Sequence, residues 1–152
     1  MTRVALKDEL LDAQLLRAVG AALYGGSDVG ECLATARRIR GTDLDSWYTE
    51  WSATAGVVAA LAVQASGAGH PETARLAYLR ASSYFRTAGV MLMGVPLDPR
   101  LVSAYASQTE MFRRAGALMV PEAEVIEIPF EDTTLPGYFF RAEEDQVTTS
   151  RG

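Results

Sequence analysis

The chain has 152 residues, with 19 acidic against 14 basic side chains and a formal charge of −5, and this length fits one compact domain. The modest negative charge argues against nucleic acid or an anionic membrane as the main partner. Cys32 is the single cysteine, which excludes an intrachain disulfide. The apolar stretch from Ala53 to Ala65 is too short to span a bilayer, so we expect a cytoplasmic protein.

Five amphipathic helices are predicted before Pro121, because apolar side chains recur there at three- and four-residue spacing. They run from Val4 to Tyr24, from Ser27 or Asp28 to Gly41, from Thr42 or Asp43 to about Ser66, from Pro71 to about Met93, and from Asp98 to Pro121. The predicted buried faces contain Leu10, Leu11, Leu15, Leu16, Val19, Ala22 and Leu23; Val29, Cys32, Leu33, Ala36 and Ile39; Trp47, Trp51, Ala55, Val58 and Ala62; Leu76, Ala77, Ala81, Tyr84, Phe85 and Ala88; and Leu101, Val102, Tyr105, Phe112, Ala115 and Leu118.

After Pro121 the apolar period changes to that of a strand. Ile126, Ile128 and Phe130 alternate with Glu127, which predicts a strand over 124–130 with one apolar face. A turn at 131–134 and a bent returning strand over 135–141 complete a hairpin, and residues 142–152 are predicted to be disordered. A lone hairpin is marginal in water. We therefore expect it to require strands that this sequence lacks.

The sequence offers no set of residues for catalysis. The nearest approach to the serine-nucleophile pattern G-x-S-x-G is 25–29, where Val29 replaces the last glycine and no strand precedes. Ser27 is better interpreted as a helix cap. His70, the single histidine, lies in a Gly-rich loop, and one histidine with one cysteine makes no zinc site. We therefore predict no catalytic residue, no metal site and no cofactor.

Four aromatic residues allow two interpretations. Trp47 and Trp51 lie near the start of the third predicted helix, and Tyr84 and Tyr105 lie on the next two. Aromatic residues at helical spacing usually belong to a core. Alternatively, these four line an apolar pocket for a substrate held against another domain.

Several sequence blocks, in this order, resemble one known family. They are Asp45-x-Trp47-x-x-x-Trp51, the stretch AYLRASSYFRTA at 77–88, Asp98-Pro99-Arg100-x-x-x-x-Tyr105, and EIPFEDTTLPGYF at 127–139. The series resembles the N-terminal helical cap region of serine α/β-hydrolases, a group that includes 2,6-dihydroxypseudooxynicotine hydrolase and polyketide chain-shortening hydrolases. The resemblance implies an irregular bundle of about five helices followed by one β-hairpin that begins an α/β-hydrolase sheet.

In that interpretation residues 1–121 form the cap, 122–141 form the first hairpin of the catalytic core, and 142–152 are a tail. The family's nucleophile, acid and histidine follow the hairpin, and none has a counterpart here. The resemblance therefore implies a truncated chain, a relic, or one part of a split enzyme. Such a cap would shape the pocket of an ester, acyl or C–C bond hydrolase but be inactive alone, and its partner would be the hydrolase core.

Two alternatives stay open. A free-standing helical module would bind a partner, or a second copy of itself, through a bundle groove or through the hairpin edge at Ile126, Ile128 and Phe130. An autonomous enzyme would use His70 with a carboxylate.

Overall fold

The computed structural model describes residues 4–142. It contains α1 (Glu9–Gly20), a 3₁₀ turn (Ala21–Tyr24), α2 (Val29–Ala36), α3 (Leu44–Gly67), α4 (Pro71–Gly89), α5 (Pro99–Gly116), β1 (Glu124–Phe130) and β2 (Thr133–Phe139). The predicted fold class, a mainly helical bundle followed by one antiparallel hairpin, is confirmed. The predicted disordered tail lies, apart from Ala142, outside the described residues.

Aspartate side chains start most of these helices. The carboxylates of Asp8, Asp28, Asp43 and Asp98 each accept backbone N–H bonds from the first turn of the helix that follows. Helix α4 instead begins with Pro71 at its first position, where the missing N–H costs nothing. The predicted cap at Ser27 is wrong, because its Oγ donates to the Ala18 carbonyl oxygen at 2.6 Å and leaves capping to the next residue.

The first helix begins later than predicted. The Asp12 carboxylate accepts bonds of 2.8–2.9 Å from the backbone N–H groups of Val4, Ala5 and Leu6. These bonds hold the segment in a loop and leave Asp8 to cap the helix. After Gly20 the 3₁₀ turn has 3.0 residues per turn instead of the 3.6 of an α-helix, and this changes the direction in which the following side chains point. Leu23, predicted to be buried, is consequently 94% exposed.

Other predicted core positions are also exposed, because the helices bury narrower stripes than their apolar patterns indicate. Helix α1 buries Leu11 and Leu15, and α5 contacts α4 through small residues such as Ala104. Side chains at the margins of the predicted stripes therefore face solvent. These are Leu10, Leu16, Val29, Val102 and Tyr105.

The core lies mainly between α3 and α4, which run antiparallel. The indole Nε1 of Trp47, near the start of α3, donates to the carbonyl oxygen of Thr87, near the end of α4, at 2.8 Å. Alanines fill much of the rest of this contact, so the two helices approach closely. Helix α5 packs on the other side of α4, where Ser82 Oγ donates to the Gln108 carbonyl oxygen at 2.9 Å.

The hairpin packs on α5 through one face. The rings of Phe112 and Tyr138 meet edge to face with centroids 4.6 Å apart, and Ala123 N–H donates to the Gly116 carbonyl oxygen at 3.1 Å. The turn is shorter than predicted, since β2 already begins at Thr133 and the turn is Glu131 and Asp132 alone. Strand pairing places five apolar side chains on the opposite face, namely Ile126, Ile128, Phe130, Leu135 and Phe139.

Candidate functional site

Three of the four aromatic candidates lie together in the interior. Trp51 stands between Trp47 and Tyr84, with ring centroids 5.6 Å from each, and all three residues have no solvent exposure. Tyr105 lies apart from them on α5 and is 57% exposed. The structure therefore separates one surface aromatic residue from a buried cluster of three that joins α3 to α4.

The buried cluster ends in a polar network at the start of α2. The Tyr84 hydroxyl accepts from the Asp28 backbone N–H at 2.7 Å and donates to Glu31 Oε2 at 2.6 Å. Arg80 Nε donates to the same Glu31 oxygen at 3.1 Å. Burial, and then the bond to Glu31, raises the pKa of the Tyr84 phenol well above its usual range. The neutral phenol therefore joins α2 to α4.

Neither Cys32 nor His70 forms a nucleophilic centre. Cys32 is completely buried, and burial raises the pKa of its thiol, so that its reactive thiolate form is disfavoured. His70 is exposed and occupies the N-cap position of α4, where its side chain makes no capping bond. Within residues 4–142 no group of three metal-ligating side chains converges.

One surface suited to a ligand surrounds Phe112, where α4, α5 and the hairpin meet. A hollow of about 280 Å³ lies between α5 and the hairpin and includes Tyr105 and Tyr138 in its lining. A second hollow of about 470 Å³ lies beside α4 and includes Leu79, Arg86, Met119 and Phe140. Both are also lined by Ser82, Gln108 and Phe112. We call this continuous surface the Phe112 groove.

The chemistry of the Phe112 groove suits binding. Its walls are largely aromatic and aliphatic, which is typical of pockets for small organic molecules. Arg75 Nε donates to Glu72 Oε2 at 2.9 Å, whereas Arg86 is exposed and its guanidinium pairs with no carboxylate of the described residues. The groove therefore offers apolar contact and a free guanidinium. Sequence reasoning found Tyr105 but missed Phe112 and Arg86, since only the tertiary packing brings them together.

The predicted interaction edge lies on the face of the hairpin that points away from α5. Ile128 and Phe130 are about half exposed, while Ile126 is partly covered by its neighbours. Leu135 and Phe139 extend the same apolar surface on β2. This five-residue surface, which we call the open hairpin face, is unusually apolar for a strand pair in contact with water.

Among residues 4–142, none of the helices combines the length and the hydrophobicity that crossing a bilayer requires.

Comparison with known proteins gives a consistent set of relatives. No protein-family model matches the chain. Over 128 residues, 84% of the chain, it is 39% identical to "Hydrolase LUC6" from a Fusarium species. It is 39% identical over 132 residues to "Alpha/beta hydrolase xenA" of Xenoacremonium sinensis, and 35% identical over 133 residues to "20-hydroxy-prefusarin hydrolase FUS2" of Gibberella moniliformis, covering 86% and 87% of the chain.

These matches confirm the predicted resemblance to α/β-hydrolases. They also limit what it covers, because the chain spans only 30–32% of the length of these three relatives.

Proposed function

The chain is homologous to α/β-hydrolases and spans about 30% of their length, and we propose that it is the helical cap portion of such an enzyme. In this proposal residues 1–121 are the cap and 122–141 are the first strands of the catalytic sheet. The substrate would be an ester, an acyl compound or a ketone cleaved at a C–C bond.

The open hairpin face carries this proposal. A two-stranded sheet with apolar side chains on its solvent side is a poor end point for folding, because its hydrophobic surface stays in water. Further strands and helices of a hydrolase core would cover Ile128, Phe130 and Leu135 and pair with the free strand edge. The hairpin's docking on α5 would then fix the cap relative to that core.

The Phe112 groove gives the cap its proposed role in substrate binding. It lies beside the hairpin on the α5 side, so in this proposal the cap would contribute Tyr105 and Phe112 to the substrate pocket from that side. Of the four aromatic candidates, we assign substrate contact to Tyr105, which is exposed. Trp47, Trp51 and Tyr84 would instead hold the helices in place, because fully buried side chains reach a ligand only if the helices separate.

The proposal is tested by complementation. A relative such as the Fusarium hydrolase is expressed without the region that this chain matches, and the 152-residue chain is supplied as a separate polypeptide. We expect a complex that restores hydrolysis of that relative's own substrate, while the chain alone neither turns over an ester nor reacts with a serine-directed phosphonate.

Two variants test whether the open hairpin face forms the contact with the hydrolase core. Ile128→Lys should abolish complex formation, because it places a charge in the apolar contact. Val102→Lys, at an equally exposed site on α5, is the matched control and should retain it. Hydrolysis by the chain alone would contradict the proposal, as would a folded core that never binds the chain. If the core bound the Ile128→Lys variant as well as it binds the parent chain, the contact would lie on another surface, and the role given to the open hairpin face would be wrong.

A further inference from the structure

A third hollow continues the Phe112 groove along α4 and α5. It measures about 190 Å³ and includes Phe85, Met93 and Leu101 in its lining. Arg86 lines both this hollow and the larger part of the groove, and Gln108 lines all three recesses. Arg86 therefore lies where two largely apolar recesses meet.

The charge of this surface is opposite to that of the chain. The chain carries 19 acidic and 14 basic side chains. Among the described residues, however, the lining of the three recesses contains Arg75, Arg86 and Arg113 and no Asp, Glu or Lys. Arg75 pairs with Glu72, whereas Arg86 pairs with no carboxylate of residues 4–142. A recess whose walls carry one sign of charge attracts ligands of the opposite sign, so this surface favours an anion.

Polar side chains near Arg86 have unused hydrogen-bonding capacity. Ser83 and Gln108 are half-buried in the lining. The side-chain bonds that reach them end on their backbone carbonyl oxygens, from Thr87 Oγ1 at 2.8 Å and Ser82 Oγ at 2.9 Å. Their own hydroxyl and carboxamide form no hydrogen bond with another described residue. Both groups can donate to the oxygens of a ligand.

We propose that the Phe112 groove and this third hollow bind an apolar molecule that carries one carboxylate, held by Arg86. A guanidinium donates two parallel N–H bonds to a carboxylate. One unpaired arginine balances the single charge of that group, whereas a phosphate group carries about −1.5 to −2 and would need a second. The apolar part of the molecule lies against Phe112 and Phe140. That this molecule is the substrate of the hydrolase rests on the function proposed above.

Fluorescence titration of the 152-residue chain with a matched pair of probes tests this proposal. Pyrenebutanoate carries a carboxylate, and pyrenebutanol has the same apolar body without the charge. We expect the chain to bind the acid at least about fivefold more tightly than the alcohol, because a charge-assisted bond is added to the same apolar contact. The preference should shrink as salt is added, because the charge of an exposed guanidinium is screened.

Arg86→Gln separates the effect of charge from that of apolar contact. It should lower the affinity for pyrenebutanoate to that for pyrenebutanol and leave the affinity for the alcohol unchanged. Arg37→Gln removes the same charge at the end of α2, outside the lining of the three recesses, and should keep the preference. Phe140→Ala, at a half-exposed ring in the groove, should weaken binding of both probes. Circular dichroism melting establishes that each variant is folded.

Three results of these titrations would overturn the proposal. They are equal affinities for acid and alcohol, a preference that survives Arg86→Gln, and loss of both probes in Ile128→Lys, which would place them on the open hairpin face. A chain shortened to end at Ala142 tests the acidic residues at 143–145 as a rival ligand. If shortening raised the affinity for the acid about tenfold, those residues would occupy Arg86 and the proposal would be wrong.

This binding test is independent of the complementation test, because it requires no hydrolase core. A chain that complements the core but shows no preference for the acid would retain the proposed cap function and lose the carboxylate site. A chain that prefers the acid but complements no core would retain the carboxylate site and lose the cap function.

Discussion

At the residue scale, Tyr84 is a buried side chain whose polar end has its own partners. The Tyr84→Phe variant keeps the ring but leaves the Asp28 N–H and the Glu31 carboxylate each without one bond. We expect the free energy of unfolding to fall by about 1–3 kcal/mol, since a bond to a charged group is lost. Urea unfolding measures this. Tyr105→Phe, at an exposed phenol, is the control and should change stability by less than about 0.5 kcal/mol.

The same hydroxyl predicts a loss of stability in alkali. Because the pKa of Tyr84 is raised in the folded chain, the folded state retains a proton that the unfolded state releases above about pH 10. Stability from this group is therefore complete below pH 10 and declines as the pH rises further. The Tyr84→Phe variant should decline less steeply above pH 10 than the parent chain. Equal slopes would contradict the raised pKa.

The aromatic core shows what residue type and spacing can reveal. The spacing of Trp47 and Trp51 predicts a buried face on α3, the spacing around Tyr84 predicts one on α4, and the structure brings those two faces together. The bonds of the Tyr84 hydroxyl were not predictable, because its acceptor Glu31 lies 53 positions away. Within α2 itself, Glu31 donates its backbone N–H to the Asp28 carboxylate, which is a local capping contact. Its second contact depends on how α2 lies across α4, which no local pattern specifies.

At the element scale, the docking of the hairpin depends on a close approach at the end of α5. A Cβ added to Gly116 would lie 3.0 Å from the Ala123 Cβ, so Gly116→Ala must displace the segment leading into β1. We expect a destabilisation of about 1–3 kcal/mol, as for other overpacked contacts. The Phe112–Tyr138 ring contact should also loosen, which nuclear magnetic resonance chemical shifts of Tyr138 would report.

Gly20→Ala is the matched control for this substitution. Gly20 also ends a helix, but an added Cβ would meet nothing within 4 Å. Alanine there should stabilise the chain by about 0.5–1 kcal/mol, because glycine loses more backbone entropy on folding. If both substitutions had the same effect, contact with Ala123 would not govern hairpin docking.

The start of a helix is predictable from sequence where a capping residue next to that helix sets it. Asp43 and Asp98 are among the predicted helix starts, and their carboxylates cap α3 and α5, whereas the predicted cap of α2 is Ser27 and the observed one is Asp28. The apolar pattern predicts too early a start for α1, because the bonds that hold Val4, Ala5 and Leu6 in a loop come from Asp12, inside the predicted helix. The apolar stripes overestimated burial on α1 and α5, since a pattern shows which side chains can be buried but not how wide the contact is.

At the scale of the whole molecule, stability is expected to be uneven. Helices α3 and α4 share the aromatic cluster and a close alanine-rich contact, so their opening requires exposing the core. The hairpin is covered on one face only, and its other face offers no protection from water. Local openings of the hairpin should therefore cost less free energy than global unfolding.

Hydrogen exchange measured by mass spectrometry checks this difference. We expect amides of β1 and β2 to exchange at least about tenfold faster than those at the centre of α4, a difference of about 1.4 kcal/mol. Adding the separately expressed hydrolase core should slow exchange in the hairpin and leave the centre of α4 nearly unchanged, because the core would cover the open hairpin face and the free strand edge, whereas the centre of α4 is already buried against α3. Hairpin protection equal to that of α4 without any core would mean that packing on α5 alone completes the structure. The open hairpin face would then need no further strands.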